Sequence, residues 1–386
     1  MSQIAQMFLD CGEGRMSYTE RVELYKQIES IRKRPLIVYV TSSRQNASGQ
    51  MAPDIIPQFA KQLIEIPKPH DAIDLLIVSN GGDPIVSWRV ISMVRESFSK
   101  VGTLLPYAAY SAATLLALGA DEIVMHPFSN LGPVDPQLTY QKRNPSQPAG
   151  QDVEIIQFGS EDLRNFLDFV RSDVGISDQE QLERAFELVC KDIGAIPIGV
   201  AKRSAQLALS MGEKLLSLHL GDTSQARAIA EALNRSFYHH GYPLGVKEAQ
   251  KIGLPIVPAS EELEQILWNV WQNIEEEMEC NKPFDPIEYV LRNNEAARLI
   301  GPVPQIQLPA NLPPELLQQA FNHILQQIRV VEVPPVDYSL FQATLESVQC
   351  KSEFRTTVKI KAIRLPDMNI AVNVVRVSSG WAFTKT

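Results

Sequence analysis

The chain has 386 residues, enough for two domains that each bury a core, and its 45% hydrophobic and 21% charged residues are typical of a globular protein. The net charge of −9 and the lack of a basic tract argue against nucleic acid as a partner. No apolar run reaches membrane-spanning length and residues 1–10 lack a secretory signal pattern, so we expect a cytoplasmic protein that does not contact membranes.

The cysteines and histidines indicate neither disulfides nor metal sites. Four cysteines are scattered along the chain without a Cys-x-x-Cys pair, which is typical of reduced thiols. The six histidines lack zinc-ligand spacing, and the sequence has no dinucleotide-binding or Walker motif. We therefore expect neither a metal nor a cofactor.

Strands and helices alternate over the first 125 residues. Hydrophobic periodicity predicts helices at 18–31, 54–66, 84–99 and 112–118, and buried strands at 35–40, 75–78, 100–109 and 122–125. This alternation predicts an α/β fold with a mostly parallel sheet.

The next part of the chain is predicted to be mainly helical. Residues 137–150 are polar and contain proline, which predicts a mobile loop. Four helices are predicted to follow, and a short strand ends this part of the chain. Their expected ranges are 160–173, 178–193, 199–218 and 224–234 for the helices, and 252–257 for the strand.

A change of pattern near residue 260 predicts a domain boundary. A helix at 261–278 is followed by a proline-rich linker at 302–314, and a further helix is predicted at 314–328. Strands are then predicted at 354–363 and 368–377. We expect a larger domain over 1–260 and a smaller α+β module over 261–386.

Two turns in the first domain carry the candidate chemistry. A buried strand ends in paired glycines, the second of which is Gly82, and the next strand meets Ser111 at the start of a helix. The interval between them has room for one crossover helix, so both turns should lie at the carboxyl ends of parallel strands. A glycine turn presents backbone N–H groups and a serine at such a corner exposes its hydroxyl, which is the arrangement of a nucleophile beside an oxyanion hole.

Residues 20–260 resemble the Clp protease/crotonase superfamily and, within it, the serine dehydrogenase proteinase family, relatives of signal peptide peptidase A. Five motifs carry the resemblance: Ile-Val-Ser-Asn-Gly-Gly at 77–82, Tyr-Ser-Ala-Ala-Thr at 110–114, the segments 118–125 and 131–137, and the segment 242–254.

The resemblance implies a fold of repeated β-β-α units and a peptidase active site. It implies that Ser111 is the nucleophile and that the N–H groups of Gly82 and Ala112 form the oxyanion hole. It also implies a homo-oligomer that acts on a peptide or protein substrate. On residue type alone, Ser111 can equally be the cap of the following helix.

The sequence lacks the general base at the positions where the related families carry it. Clp-like proteases carry a histidine in the segment that corresponds to 131–135, where this chain has Asp135, and His126 falls too early. Signal peptide peptidase A uses a lysine, but the comparable segment 155–163 has none.

Three candidates for the base remain. They are the histidine pair His239 and His240, Lys202 on a predicted helix, and Lys142 in the polar segment, which could reach a neighbouring subunit. We favour His240, because an imidazole transfers protons near neutral pH, whereas burial would have to lower the pKa of a lysine.

Three functions are compatible with these residues. The first is a cytosolic serine peptidase. The second is a catalytically weakened or inactive Clp-like scaffold that binds a protein partner, since Ala113 replaces a usual glycine and Asn80 a usual proline. The third is a crotonase-like acyl-thioester enzyme, although that class needs no serine at the helix start and the chain has no adenine-binding signature.

Overall fold

The computed structural model describes residues 17–143, 153–235, 241–300, 331–365 and 369–385, together with positions 313, 316, 318–320 and 322–323. Nine of the described strands form one sheet. Five neighbouring strands of this sheet are parallel: β1 (Leu36–Thr41), β2 (Ala72–Val78), β3 (Lys100–Leu105), β5 (Glu122–Met125) and β9 (Ile256–Val257). The predicted α/β class with a large parallel sheet is confirmed; the finer repeat of β-β-α units stays a prediction.

The central strands are buried on both faces, because helices cover the sheet from both sides. All six residues of β1 are buried, as expected for an apolar run in a parallel sheet. One face packs against α2 (Ile56–Glu65), α3 (Pro84–Arg95) and α4 (Ala112–Leu118), and the other against α1 (Tyr18–Arg32) and α10 (Glu261–Glu277).

The remaining helices lie in the second half of the chain. Their bounds are α5 Ser160–Ser172, α6 Gln179–Ile193, α7 Ala195–Leu216, α8 Thr223–Arg235, α9 Val246–Lys251, α11 Pro286–Arg292 and α12 Asn294–Ile300. The four helices predicted between 160 and 234 are present, although α7 begins four residues earlier than expected. The linker predicted at 302–314 and most of the helix predicted at 314–328 lie outside the described residues.

After leaving the main sheet, several segments of the chain pair again in a smaller sheet. The strands β4 (Ala108–Ala109) and β6 (Asn130–Leu131) pair in parallel. A bridge joins Ser79 to Ala109 and another joins Leu131 to Leu244. These short pairings continue the neighbouring order of the main strands and bring the turns after β2 and β3 together.

The prediction of a mobile loop over 137–150 is wrong for its first half. Residues Gln137–Arg143 form β7, which pairs antiparallel with β8 (Val153–Gly159). The polar composition of this segment hid an alternation in which Leu138 and Tyr140 are half-buried and Thr139 is exposed. Residues 144–152 lie outside the described part of the chain.

Strands from the last part of the chain extend the sheet at β1. They are β10 (Val331–Glu332), β11 (Val336–Glu346), β12 (Cys350–Arg364) and β13 (Ile370–Lys385), and all their pairings are antiparallel. Strand β11 pairs with β1 from Val38↔Glu346 to Thr41↔Ala343. The domain boundary near residue 260 stays a prediction, and the sheet runs across it.

A buried ion pair fastens these strands to the first helix. The guanidinium of Arg21 donates to both carboxylate oxygens of Glu346, at 2.7 and 3.1 Å, and both side chains are fully buried. Arg21 also donates to Asn273 and Glu277 on α10, and Tyr25 donates to Glu346. Because each polar atom of the pair has a partner, the cost of burying two charges is offset.

We predict that Glu346→Gln lowers the free energy of unfolding by about 3 kcal/mol, because it removes the carboxylate from a fully buried arginine. Urea denaturation measures the change. The control is Asp337→Asn on the same strand, where the partly exposed ion pair to Lys359 spans 3.8 Å. Equal stability losses in the two variants would contradict the importance of the buried pair.

Candidate functional site

A cavity of about 580 Å³ lies at the turns that follow β2 and β3. Its walls come from five segments that are far apart in the sequence. They are the loop at 48–50, the glycine turn at 80–84, Ser111 with Leu115 on α4, the segment around Val134 and Gln137, and the face of α7 that carries Ser204, Leu207 and Ala208. The predicted nucleophile and the predicted glycine turn therefore share one cavity.

Ser111 has a strained backbone conformation. Its φ of 53° and ψ of −116° are rare for a residue with a side chain. It precedes the first residue of α4, but its side chain makes no capping hydrogen bond, so capping does not explain this serine. The side chain is half-buried and lines the cavity. A serine on such a sharp strand-to-helix turn is typical of an exposed nucleophile.

The backbone of Gly81 packs directly against this turn. Its φ is +94°, and a Cβ atom built there would lie 2.6 Å from the carbonyl oxygen of Tyr110 and 2.9 Å from the backbone nitrogen of Ala112. Gly82 has a φ of +151°, and its Cβ would lie 2.2 Å from the carbonyl oxygen of Met51. Both glycines are therefore required by the close approach of neighbouring backbone as well as by their own conformation.

Two backbone N–H groups at the turns are free to bind a ligand. The carbonyl of Gly81 and the N–H of Asp83 are bonded to Met51, and the N–H of Gly81 donates to the hydroxyl of Ser79. Within the described residues, the N–H of Gly82 has no partner, nor has that of Ala112, the first residue of α4. Free N–H groups on two adjoining turns can bind a developing oxyanion.

Hydroxyl groups hold the two turns in place. The hydroxyl oxygen of Thr114 lies 2.8 Å from the carbonyl oxygens of both Ala109 and Gly132, and its one proton can be donated to either of them. The Ser87 hydroxyl on α3 donates to the carbonyl oxygen of Ala112 at 2.6 Å. All these contacts are buried, so the start of α4 is fixed from two sides.

Among the candidate bases, Lys202 is the one whose side chain the structure describes, and it is not among the residues that line the cavity. His239 and the favoured His240 lie outside the described part of the chain. Lys202 is on α7, two residues from Ser204 in the cavity wall, but its own side chain is exposed. Lys142 is part of β7.

His126 and Asp135, the two residues near the position of the family's catalytic histidine, form hydrogen bonds with residues other than Ser111. His126 is buried against Trp268, and its Nδ1 accepts the N–H of Phe128 at 3.1 Å, which agrees with a capping role. Burial lowers the pKa of His126 below the usual histidine value. Asp135 accepts a hydrogen bond from Gln137. Among the described residues that line the cavity, there is neither a histidine nor a lysine.

Ala113, which stands where the resembling family usually has glycine, does not narrow the cavity. Ala113 is fully buried in the main core and is not among the residues that line the cavity. Asn80, in contrast, lines the cavity and is exposed.

One wall of the cavity depends on the C-terminal strands. The side chain of Gln342 on β11 donates to the carbonyl of Ser48 at 3.0 Å, and its backbone carbonyl accepts the N–H of Ser42. Arg44, in the same loop, is buried and bonds to Tyr289, Tyr338 and Glu279. Burial by itself lowers the pKa of Arg44, but its hydrogen bonds to the two tyrosines and the charge of Glu279 outweigh burial and raise the pKa above its usual value.

Sequence reasoning missed the wall from α7 and the supporting residues Gln342 and Arg44, because their roles depend on contacts between distant segments. The pattern of α7 predicts a helix but does not reveal that Leu207 lines the same cavity as Ser111, and no local signal marks Gln342. Among the described residues, no group of three or more possible metal ligands occurs, and no helix is long and apolar enough to cross a membrane.

Residues 60–154 match the model of a family described as ClpP-like SDH-type serine proteinase. The matched range contains Gly82, Ser111 and Ala112, and the match confirms the resemblance predicted from the motifs.

Two curated proteins of Methanocaldococcus jannaschii are similar to this chain. Uncharacterized protein MJ1495 is 26% identical over 184 residues, which cover 48% of this chain and 51% of the relative. Uncharacterized protein MJ0137 is 24% identical over 184 residues, which cover 48% of this chain and 53% of the relative. The chain thus spans about half the length of the curated relatives that it matches.

Two solved structures resemble the chain more distantly. The membrane-bound stomatin-specific protease 1510-N, in a mutant form, is 17% identical with a TM-score of 0.35, covering 60% of this chain and 84% of that chain. ClpP1 from Listeria monocytogenes is 14% identical with a TM-score of 0.30, covering 61% of this chain and 99% of that chain.

We predict that Gly81→Ala lowers the free energy of unfolding by on the order of 2 kcal/mol, because the new methyl group meets the Ser111 turn and the backbone is left-handed. Thermal denaturation measures the loss. The matched control is Gly245→Ala, where a Cβ meets nothing within 4 Å. If the two variants are equally stable, Gly81 does not support the turn as described.

Proposed function

We propose that this protein hydrolyses peptide bonds with Ser111 as the nucleophile, because residues 60–154 match the model of a family of ClpP-like serine proteinases. One observation carries the proposal: Ser111 has a positive φ at the turn into α4, lines the cavity and makes no capping hydrogen bond to the helix that follows. Backbone strain of this kind is concentrated at functional sites, and the absence of a capping hydrogen bond leaves the Ser111 hydroxyl available for chemistry.

The chemistry is acyl transfer in two steps. The Ser111 oxygen attacks the carbonyl carbon of the scissile bond, a base takes the hydroxyl proton, and the carbonyl oxygen becomes an oxyanion bound by the N–H groups of Gly82 and Ala112. The base then returns the proton to the leaving amine and leaves an acyl-enzyme. A water molecule, deprotonated by the same base, hydrolyses the ester and restores the serine.

The base is the open part of this mechanism, and we keep His240 as the first candidate. A neutral imidazole can accept a proton and return it, whereas a lysine must first lose its own proton before it acts as a base. An imidazole therefore suits both steps of the reaction. Lys202 would need a drier setting than its exposed position on α7 provides. Lys142, on a hairpin strand, would act on the serine of a neighbouring subunit.

We propose a cytoplasmic homo-oligomer as the working form. Apolar side chains on α5, α6 and α7 are exposed, which supports an interface with further copies of the chain. They include Phe169, Phe186, Leu188 and Ile196. A peptide or unfolded protein segment is the proposed substrate, because the cavity is lined by several backbone and uncharged polar groups.

The second candidate function is a Clp-like scaffold that binds a protein partner. One observation favours it: the described residues that line the cavity include no histidine or lysine that could activate Ser111. The scaffold predicts a folded protein whose serine does not react.

We predict that a fluorophosphonate probe labels the wild-type protein and that Ser111→Ala abolishes the labelling, because the probe reacts only with an activated serine. Mass spectrometry of the labelled peptide identifies the residue. The matched control is Ser204→Ala, a second serine of the cavity wall, which should keep full labelling. Folded wild-type protein that is not labelled would favour the scaffold.

We predict that His240→Ala lowers the labelling rate by about 100-fold or more, within the usual range for loss of a general base. A base must be deprotonated to act, so the rate should rise with pH through the pKa of that base. For an ordinary imidazole the rise lies between about pH 5.5 and 7.5. Lys202→Met and Lys142→Met are the comparison variants; a loss in either of these, with His240→Ala unaffected, would transfer the role to that lysine.

A further inference from the structure

We propose that Asp83 is a specificity-determining residue that binds a positively charged group of the peptide substrate beside the reacting bond. This inference rests on the proposed peptidase function. Asp83 directly follows Gly82, is half-buried, and lines the same cavity as Ser111.

The charge of the cavity points to a cationic ligand. Among the described residues that line it, Asp83 is the one charged side chain, and the polar side chains around it are neutral hydrogen-bonding groups such as Asn80, Gln50 and Gln137. A substrate cation meets an attractive carboxylate and amide oxygens there. A substrate carboxylate meets repulsion in a partly dry space, where charges interact more strongly than in water.

Helix capping uses one carboxylate oxygen of Asp83 and leaves the negative charge in the wall of the cavity. One carboxylate oxygen of Asp83 accepts the N–H of Ile85 at 2.9 Å and caps α3. Serine and asparagine cap helices about as well without charge. A negative charge next to the proposed oxyanion hole disfavours the oxyanion, and a cation on the substrate cancels this effect.

The chain contains the same cap without the cavity. At the start of α11, the sequence Asp-Pro-Ile recurs, and Asp285 accepts the N–H of Ile287 at 2.9 Å. Asp285 is not among the residues that line the cavity. The pair Asp83→Asn and Asp285→Asn therefore removes one charge from each of two matched caps, while asparagine preserves the capping hydrogen bond.

The cation can be a lysine or arginine side chain next to the scissile bond, or the amino-terminal ammonium of a short peptide. Both present a group that donates hydrogen bonds to a carboxylate. Four phosphonate probes separate the two sources. They are dipeptide diphenyl phosphonates that end in the lysine or the norleucine analogue, each with a free or an acetylated amino terminus; attack by Ser111 displaces phenoxide.

The experiment compares labelling rates of the full chain with the four probes at low salt. We expect a cationic probe to react roughly fivefold faster than its neutral match, as for a partly exposed ion pair, and Asp83→Asn to bring the ratio close to one. Asp285→Asn should keep the wild-type ratio. The preference should also weaken in 1 M salt. Thermal denaturation of each variant checks that the fold is retained.

Three results would overturn the inference. Equal rates for cationic and neutral probes, or a preference that Asp83→Asn does not change, would exclude a role for Asp83 while Ser111-dependent labelling still supported the peptidase. A preference lost equally in Asp285→Asn would assign it to the overall charge of the protein. A lack of any Ser111-dependent labelling would contradict the proposed function, and the role of Asp83 with it.

Discussion

The contact between the backbone of Gly81 and the turn at Ser111 is the constraint on which the site depends. Strands β2 and β3 are parallel neighbours, and the bridge from Ser79 to Ala109 keeps their continuations together. At this separation the chain after β2 has no space for a side chain at Gly81. A strained residue such as Ser111 persists because the surroundings fix it, here through the buried hydroxyl groups of Thr114 and Ser87.

The cavity is built in layers outward from this contact. The innermost part consists of backbone groups whose positions follow from strand pairing. The outer walls are side chains of α7 and of the loop at 48–50, and the latter is held by Gln342 and Arg44. Changes in the C-terminal strands can therefore reach the cavity without any contact with Ser111, because the loop connects the two.

The sequence predicts the parts of the site that local rules determine. The helix Ala112–Leu118 and the strand Glu122–Met125 have the predicted bounds, since a serine turn, an alanine and leucine run and a short apolar strand are each recognisable alone. The hairpin at β7 was missed because its partner strand lies beyond a polar segment. The wall from α7 and the support that β11 gives to the loop at 48–50 were missed because both depend on tertiary contacts.

The general base shows a second limit of prediction from sequence. Residue type and family pattern reduce the candidates to a few, but a proton transfer needs two atoms at hydrogen-bonding distance, and no sequence spacing gives that distance when the partners are far apart. The exposure of Lys202 was equally invisible in the sequence, whereas the place of His126 at the end of a strand already argued against its being the base.

The pairing of β11 with β1 has a consequence for the order in which the molecule matures on the ribosome. Arg21 and Glu346 are separated by 325 positions, so the first strand leaves the exit tunnel long before its antiparallel neighbour has been translated. During that interval, the edge of β1 that later pairs with β11 stays accessible to water and to other nascent chains. The guanidinium of Arg21 also lacks its later partner, Glu346. The contacts of α1 and β1 with β11 can therefore form only after most of the chain has been translated.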